Sequence, residues 1–431
     1  MRAPWNRSLR SPEDLEREKQ QRVRDRISLR NLFLYLGPAL IVSMAYMDPG
    51  NYGTDIQSGA SFAYDLLWAV WMANLMAMML QYLSGKLGIA TGKDLAELIR
   101  SSLKSRRYTV PYWLAAEAAA AATDLAEYLG TVIALNLLFG VPLLYAAIFG
   151  AADVIILLAL TARTFRVVEY FFMLFVSVIA IGFLYQVILI GPSLSEMVYH
   201  SVAVSLSGPN EVLLVVGIVG ATVMPHALFV HSTLTRDKLT TNTIEEKRRL
   251  RRLHLREVII TLTVAGLVNV AILVSAAAAF YPKYTGVSTI SEAYKIMVPL
   301  YGGLAASIFA ITLLASGLAS STTGTLAGMA MMDGLLGTHV NKNLRRIVTR
   351  LVNVFPTTVA VLIGLNPLSL LVYSQVILSL MIPLPMIPLI LYTSRRGVMG
   401  EFVNRRITTI LGILCAVVIL SLNVLLLYTA L

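Results

Sequence analysis

Asp48-Pro49-Gly50-Asn51 stands in the middle of an apolar stretch over about residues 31–56, and Met224-Pro225-His226 stands in the middle of another over about 211–234. Proline removes a backbone donor and clashes with the preceding turn, and glycine frees the chain, so both stretches are predicted to unwind at their centres. Inside a bilayer, unwound backbone is tolerated only where it is buried in protein or lines a cavity. A carboxylate, a carboxamide and a thioether gathered at two such breaks point to an ion site within a membrane.

Composition agrees with that reading. Residues are 57% hydrophobic and only 14% charged, with a mean hydropathy of +0.72 over 431 residues, which places the chain outside soluble usage and among polytopic membrane proteins. Windows of roughly 20 apolar residues fall at about 31–56, 62–88, 111–138, 142–161, 168–191, 211–234, 257–280, 300–332, 350–365, 367–393 and 407–430. The expected fold is therefore an all-α membrane protein of about eleven spans. The connecting loops are short and none resembles a folded soluble domain.

The net charge of +11 marks topology rather than nucleic-acid binding. With the N-terminus inside, inside segments hold nine Lys/Arg in 1–30, six in 86–107, two in 163–166, eight in 236–256, four in 342–350 and four in 395–406. Only Lys283 and Lys295 remain for the outside loops. The positive-inside rule then predicts an N-terminus in the cytoplasm and a C-terminus outside, in a plasma (inner) membrane. The run Lys247-Arg248-Arg249-Leu250-Arg251-Arg252 is expected to meet anionic lipid headgroups. Cys415 is the only cysteine, which excludes an intramolecular disulfide and a thiolate cage. Residues 1–30 lack the apolar core and cleavage site of a secretory signal and read as a cytoplasmic tail. Within it, Ser11-Pro12-Glu13-Asp14 opens a short charged helix.

Five spans separate the two breaks. An odd number of spans per unit makes the second unit enter the membrane with the opposite orientation, the mark of an inverted repeat. Residues 31–192 (spans 1–5) and 211–393 (spans 6–10) are read as the two halves, with 407–431 as an accessory span 11. No GxxxxGK[ST] phosphate loop is present, so an ion gradient is the economical energy source.

At the breaks, Asp48, Asn51 and the carbonyl of Ala45 can converge with Met224 and the carbonyl of Ala221. A carboxylate at mid-bilayer is costly and usually functional. A thioether adds nothing for sodium or calcium but favours late first-row metals. The bland alternative makes Met224 ordinary apolar packing; its place against Pro225 and opposite an Asp-bearing break favours a ligand.

These residues carry a specific resemblance. Ala45-Tyr46-Met47-Asp48-Pro49-Gly50-Asn51 with Thr54-Asp55-Ile56-Gln57, and Met224-Pro225-His226, resemble the first and sixth spans of the natural resistance-associated macrophage protein (Nramp) family of divalent-metal transporters. The likeness extends through Lys86-Leu87-Gly88-Ile89-Ala90-Thr91-Gly92, Thr123-Asp124-Leu125-Ala126-Glu127, Thr323-Gly324-Thr325 and Ser374-Gln375-Val376. It implies a LeuT-type fold and proton-linked import of Mn2+ or Fe2+; the same ligands would also suit Cd2+, Co2+ or Zn2+, and no enzymatic activity or cofactor is expected. It also implies Asp48, Asn51 and Met224 as side-chain ligands, joined by Gln375 in some states. Relatives that carry magnesium lack the methionine, and Mg2+ prefers hydrated all-oxygen coordination. Two positions depart from the family: Leu318 and Met329 stand where glutamines are common.

For the proton, Asp124 and Glu127 are three apart and share a helix face, and His226 titrates near neutral pH in its ordinary state. A path from Asp48 or His226 to Glu127 is expected. The resemblance adds Arg345 and Arg346 as partners of the acidic pair; their alternative role is plain topology charge. A static polar anchor is the alternative for Asp124 and Glu127. His231, five residues past His226, is read as pathway-lining or packing, and Asp153 and Asn269 as ties between helices, with a water-lined inner vestibule as the alternative for Asn269. The partners expected are thus a divalent ion, H+ and lipid, with a monomeric chain. Rival readings are an amino-acid or amine symporter of the same fold, a Mg2+ transporter, and an intramembrane metalloenzyme, for which no HExxH motif is found.

Overall fold

The computed structural model describes residues 38–150, 165–240, 243–285, 289–337, 355–360 and 362–430. In chain order the helices are α1 (Pro38–Ala45), α2 (Pro49–Phe62), α3 (Leu67–Thr91), α4 (Leu95–Leu103), α5 (Arg106–Phe139), α6 (Leu143–Phe149), α7 (Phe165–Ile190), α8 (Leu194–His200), α9 (Pro209–Val223), α10 (Pro225–Arg236), α11 (Ile244–Phe280), α12 (Ile290–Leu336), α13 (Pro367–Met381), α14 (Pro383–Ser394), α15 (Arg396–Met399) and α16 (Arg406–Ala430).

Both predicted breaks are present: α1 stops at Ala45 and α2 restarts at Pro49, and α9 hands over to α10 through Met224. Seven helical stretches among the described residues are long and apolar enough to cross a membrane, including Arg106–Phe139, Ile244–Phe280 and Pro209–Arg236. Residues 151–161 of the fourth predicted span and 350–354 and 361 of the ninth lie outside the described residues, as do Asp153, Arg345 and Arg346. α12 is interrupted at Gly302, whose φ of 87° and ψ of 160° are non-helical, so the eighth predicted span (300–332) starts at this break and the segment from Ile290 is a separate, shorter helix before it.

What faces outward is apolar. On α7, Tyr170, Leu174, Ile181 and Ile188 are each more than half exposed, and on α16 Ile407, Ile410, Leu414 and Tyr428 are as well. These rows recur at helical spacing and suit lipid, where an apolar side chain needs no partner. Inside, α5 and α12 share the longest seam, α11 packs along α2 and α3, and α9 packs along α13. Cys415 lies half-buried on α16.

Glycines set the closest approaches. A Cβ on Gly220 of α9 would collide with the backbone carbonyl of Gln375 on α13, and one on Gly130 of α5 would collide with the Pro49 ring. Small residues let backbones meet in this way, which is how helices associate in lipid. At one end of the bundle Arg236, closing α10, pairs with Asp94 at 2.5 Å and Glu97 at 3.0 Å. Nearby, the Leu95 amide donates to Ser232 Oγ at 3.0 Å.

Candidate metal site

Asp48 is the N-cap of α2. Its φ of −76° and ψ of 165° are extended, and Oδ1 accepts from the Asn51 amide at 2.8 Å and from Asn51 Nδ2 at 2.8 Å. One carboxylate oxygen thus satisfies a helix start that Pro49, placed at the first helical position, leaves with fewer donors. Oδ2 is buried and has no hydrogen-bond partner. A buried carboxylate oxygen with nothing donating to it is costly, and either a proton or a bound cation would relieve it.

Asn51 joins the two breaks. Its Nδ2 also reaches the Ala221 carbonyl at 3.3 Å, while its Oδ1 accepts from Thr222 Oγ1 at 3.3 Å and Asn269 Nδ2 at 3.2 Å. Asn269 further donates to the Tyr46 carbonyl at 3.0 Å. Both lone pairs of the Asn51 oxygen are therefore engaged. A cation that takes this oxygen has to displace Thr222 or Asn269. Ser316 Oγ on α12 donates to the Met47 carbonyl, and Thr323 Oγ1 donates to the Ile41 carbonyl at 3.0 Å. The freed carbonyls of Met47 and Tyr46 are thus held by a hydroxyl from α12 and an amide from α11, while Thr323 ties α12 to a carbonyl inside α1.

Met224 carries φ 45° and ψ 105°, left-handed backbone in a residue that has a Cβ, and no side chain caps α10 behind it. Its amide bonds Gly220 O at 3.3 Å. Ala45 and Met224 are fully buried, Asp48 is 0% exposed, Asn51 1% and Gln375 0%, so the site is shut off from solvent. Gln375 of α13 lies against the first break: a Cβ on Gly50 would run into its side chain. Its Nε2 donates to Ser374 Oγ at 3.0 Å, and its Oε1 is buried without a partner. Asp48, Asn51, Ala221 and Gln375 are thereby brought together around the two breaks. Among the described residues no three His, Cys, Asp or Glu side chains gather to hold a metal. The donor set is mixed oxygen and thioether, which fits a borderline divalent ion.

The acidic pair sits one packing layer away. Asp124 and Glu127 on α5 both approach Gly324 of α12, where a Cβ would stand 2.7 Å from Asp124 Oδ1 and 2.9 Å from Glu127 Oε2. The glycine in Thr323-Gly324-Thr325 therefore makes room for two carboxylates. Gly130, three residues past Glu127, holds Pro49 of the first break. His226 is 1% exposed, and its Nδ1 lies 3.2 Å from Thr123 Oγ1. That hydroxyl already donates to Ala119 O at 3.2 Å, so the ring N–H points at Thr123 and Nε2 is left buried without a partner. His226 thus links the second break to the helix of the acidic pair.

Sequence reading missed Thr222 and Ser316, quoted Thr323 only as part of a family motif, and gave Asn269 a tying role with the lining of a water-filled inner vestibule as its alternative. The signal available was one of position: a hydroxyl beside Ala221, and small polar residues clustered in span eight.

Three comparisons bear on this arrangement. Residues 39–429 match the family model described as natural resistance-associated macrophage protein-like. The chain is 44% identical over 400 residues to the divalent metal cation transporter MntH of Deinococcus radiodurans, covering 92% of this chain and 89% of that one. It is 46% identical over 407 residues to the MntH of Acidiphilium cryptum, covering 94% and 93%. Among solved structures, a histidine-to-alanine mutant of the Eremococcus coleocola manganese transporter superposes with a TM-score of 0.84 at 33% identity, over 92% of this chain and 86% of that one. MhsT in complex with L-phenylalanine matches at a TM-score of 0.62 and 14% identity, over 91% and 98%, a likeness of LeuT-type fold alone. With almost its whole described length matched, the chain belongs to the natural resistance-associated macrophage protein (Nramp) family.

Proposed function

We propose that this chain is a secondary transporter importing divalent transition-metal ions, manganese first and Fe2+ with it, across a plasma membrane with its N-terminus in the cytoplasm. The observation that carries the reading is the pairing of the two breaks: Asp48 Oδ2, buried without a partner, beside an Asn51 amide that spans to the Ala221 carbonyl, three residues before Met224. Relatives named as divalent metal cation transporters and a neighbour named as a manganese transporter support the substrate class. Asp48, Asn51 and Met224 supply side-chain donors, the carbonyls of Ala45 and Ala221 supply backbone oxygen, and Gln375 Oε1 is placed to join them.

Access is the second part of the proposal. Ligand residues are 0–1% exposed, so an ion enters or leaves only when the protein changes shape, and rocking of the broken helices against the remainder alternates the opening. Residues 31–192 and 211–393 act as the two inverted halves, with 407–431 appended. A proton accompanies the metal, through His226 and the Asp124–Glu127 pair, whose carboxylates share the space over Gly324. The protein works as a monomer.

The test is manganese influx into proteoliposomes, with and without an inward proton gradient and with excess calcium or magnesium as competitor. Gradient-stimulated uptake in wild type, loss in Asp48→Ala and loss of calcium resistance in Met224→Ala support the proposal. Absence of manganese flux from folded protein overturns it.

A further inference from the structure

Seven residues past Met224, a second group of buried ligand atoms stands apart from the site just described. His231 on α10 is 0% exposed and His254 on α11 is 3% exposed, and their rings meet edge to face with centroids 4.8 Å apart and planes at 83°. His231 Nδ1 lies 2.7 Å from Gln81 Oε1, and His254 Nε2 lies 3.2 Å from the Tyr82 carbonyl, both on α3. Those oxygens only accept, so each ring carries its N–H there. What remains is a bare lone pair on His231 Nε2 and another on His254 Nδ1, and neither has a hydrogen-bond partner.

Two buried acceptors in adjoining rings are costly if nothing answers them. Imidazoles that bind metal give their second N–H to a carbonyl or carboxylate oxygen, which fixes the tautomer and aims the free nitrogen at the ion. Both rings already meet that condition. With nitrogen–metal bonds of roughly 2.0–2.1 Å, two imidazoles on one ion hold their centroids about 5 Å apart, close to the spacing seen. Gly85 belongs to the same construction: a Cβ there would collide with the His254 ring, so the ring lies directly on the α3 backbone.

We propose that His231 and His254 form a second station for the transported divalent cation, a two-imidazole site between α3, α10 and α11 on the cytoplasmic side of Asp48 and Met224. The proposal rests on the transport reading above. Charged groups around it are mostly positive: Lys238 acts on both rings, Lys86 of α3 lies over Tyr82 with its Nζ 5.6 Å from the ring, and Arg251 lies one turn before His254. The nearest acid on α11, Glu257, accepts from the Ala39 amide at 3.1 Å. With no carboxylate ligand the ion is held loosely, which suits a step on the way out, since conduction needs sites weak enough to leave.

Manganese reports its own ligands in pulsed EPR, where a coordinated imidazole gives a 14N modulation that oxygen and thioether donors do not. The measurement uses the purified full-length chain loaded with Mn2+. Wild type is expected to show the imidazole modulation, Asp48→Ala to keep it, and His231→Phe and His254→Phe to lose it, with bound manganese per chain falling from two to one. His254→Gln, which keeps a donor for the Tyr82 carbonyl, serves if the phenylalanine variant fails to fold. Manganese-loaded wild type without the modulation, or a modulation that survives substitution at both positions, overturns the proposal. Failure of the transport reading shows separately, as wild-type uptake by Asp48→Ala, while the nitrogen signal is read independently of flux.

Discussion

The two breaks reach the same end by opposite means. At the first, Asp48 caps α2 from extended backbone and its own carboxylate bonds the helix start, so the break is stabilised locally by the residue that also offers an oxygen to a cation. At the second, Met224 adopts positive φ without a cap, and its conformation is imposed from outside, by α9 pressed against Gln375 of α13. A glycine would sit in that backbone at lower cost. The difference teaches that the first break is built by Asp48, the residue proposed as its ligand, whereas the second carries its proposed ligand Met224 against backbone preference, as strain kept at a functional site would be.

Substitutions can break or sharpen this contrast. The largest effect is expected from Asp48→Ala, which removes charge and cap together: manganese uptake in proteoliposomes falls to background, and the lost cap costs about 0.5–2 kcal/mol of stability, read as a lower melting temperature. If uptake stays at the wild-type level, the first break is only structural. Next comes Gly220→Ala, whose Cβ meets the Gln375 carbonyl; overpacking of this kind costs about 1–3 kcal/mol, and thermal unfolding in detergent measures it. Gly50→Ala meets the more pliable Gln375 side chain and is expected to cost less, so an inverted order of the two would contradict the account of how the second break is held.

Met224→Ala tests the thioether itself. Calcium should compete with manganese about tenfold better, a change of about 1.4 kcal/mol in relative binding, in a competition uptake assay; unchanged ranking would reduce Met224 to packing. The smallest effect separates backbone from side chain. Met224→Gly and Met224→Ala lose the same sulfur, yet positive φ should make the glycine variant the more stable by on the order of 1 kcal/mol. This reverses the ordinary order inside helices, and paired melting curves decide it.

Much of this was legible in the chain. Pro49, Gly50 and Pro225 announce both interruptions by local chemistry, and the spacing of the breaks gives the inverted repeat. Asp48 and Met224 stand out because each is expensive or unusual at its depth. Other features are set by neighbours far along the chain. Asn269 reaches Asn51 across 218 residues and Thr222 reaches it across 171; no local pattern distinguishes such an amide or hydroxyl from an ordinary tie between helices. The positive φ falls on Met224 although Gly220 lies four residues away, because that glycine is needed for contact with α13. Gly324 reads as a small residue until two carboxylates are found over it. His231 and His254 are 23 positions apart on different helices, and only the fold places their rings together.

A practical consequence comes from Cys415. It is the sole thiol in the chain and lies half-buried on α16. One conservative change, Cys415→Ser, therefore yields a background in which a single cysteine placed at Thr222, 1% exposed beside the first break's Asn51, is the only target for a maleimide and reacts only when the protein opens. Impermeant reagent applied from one side or the other then reports the direction in which the site opens, on protein that differs from the natural chain at two positions.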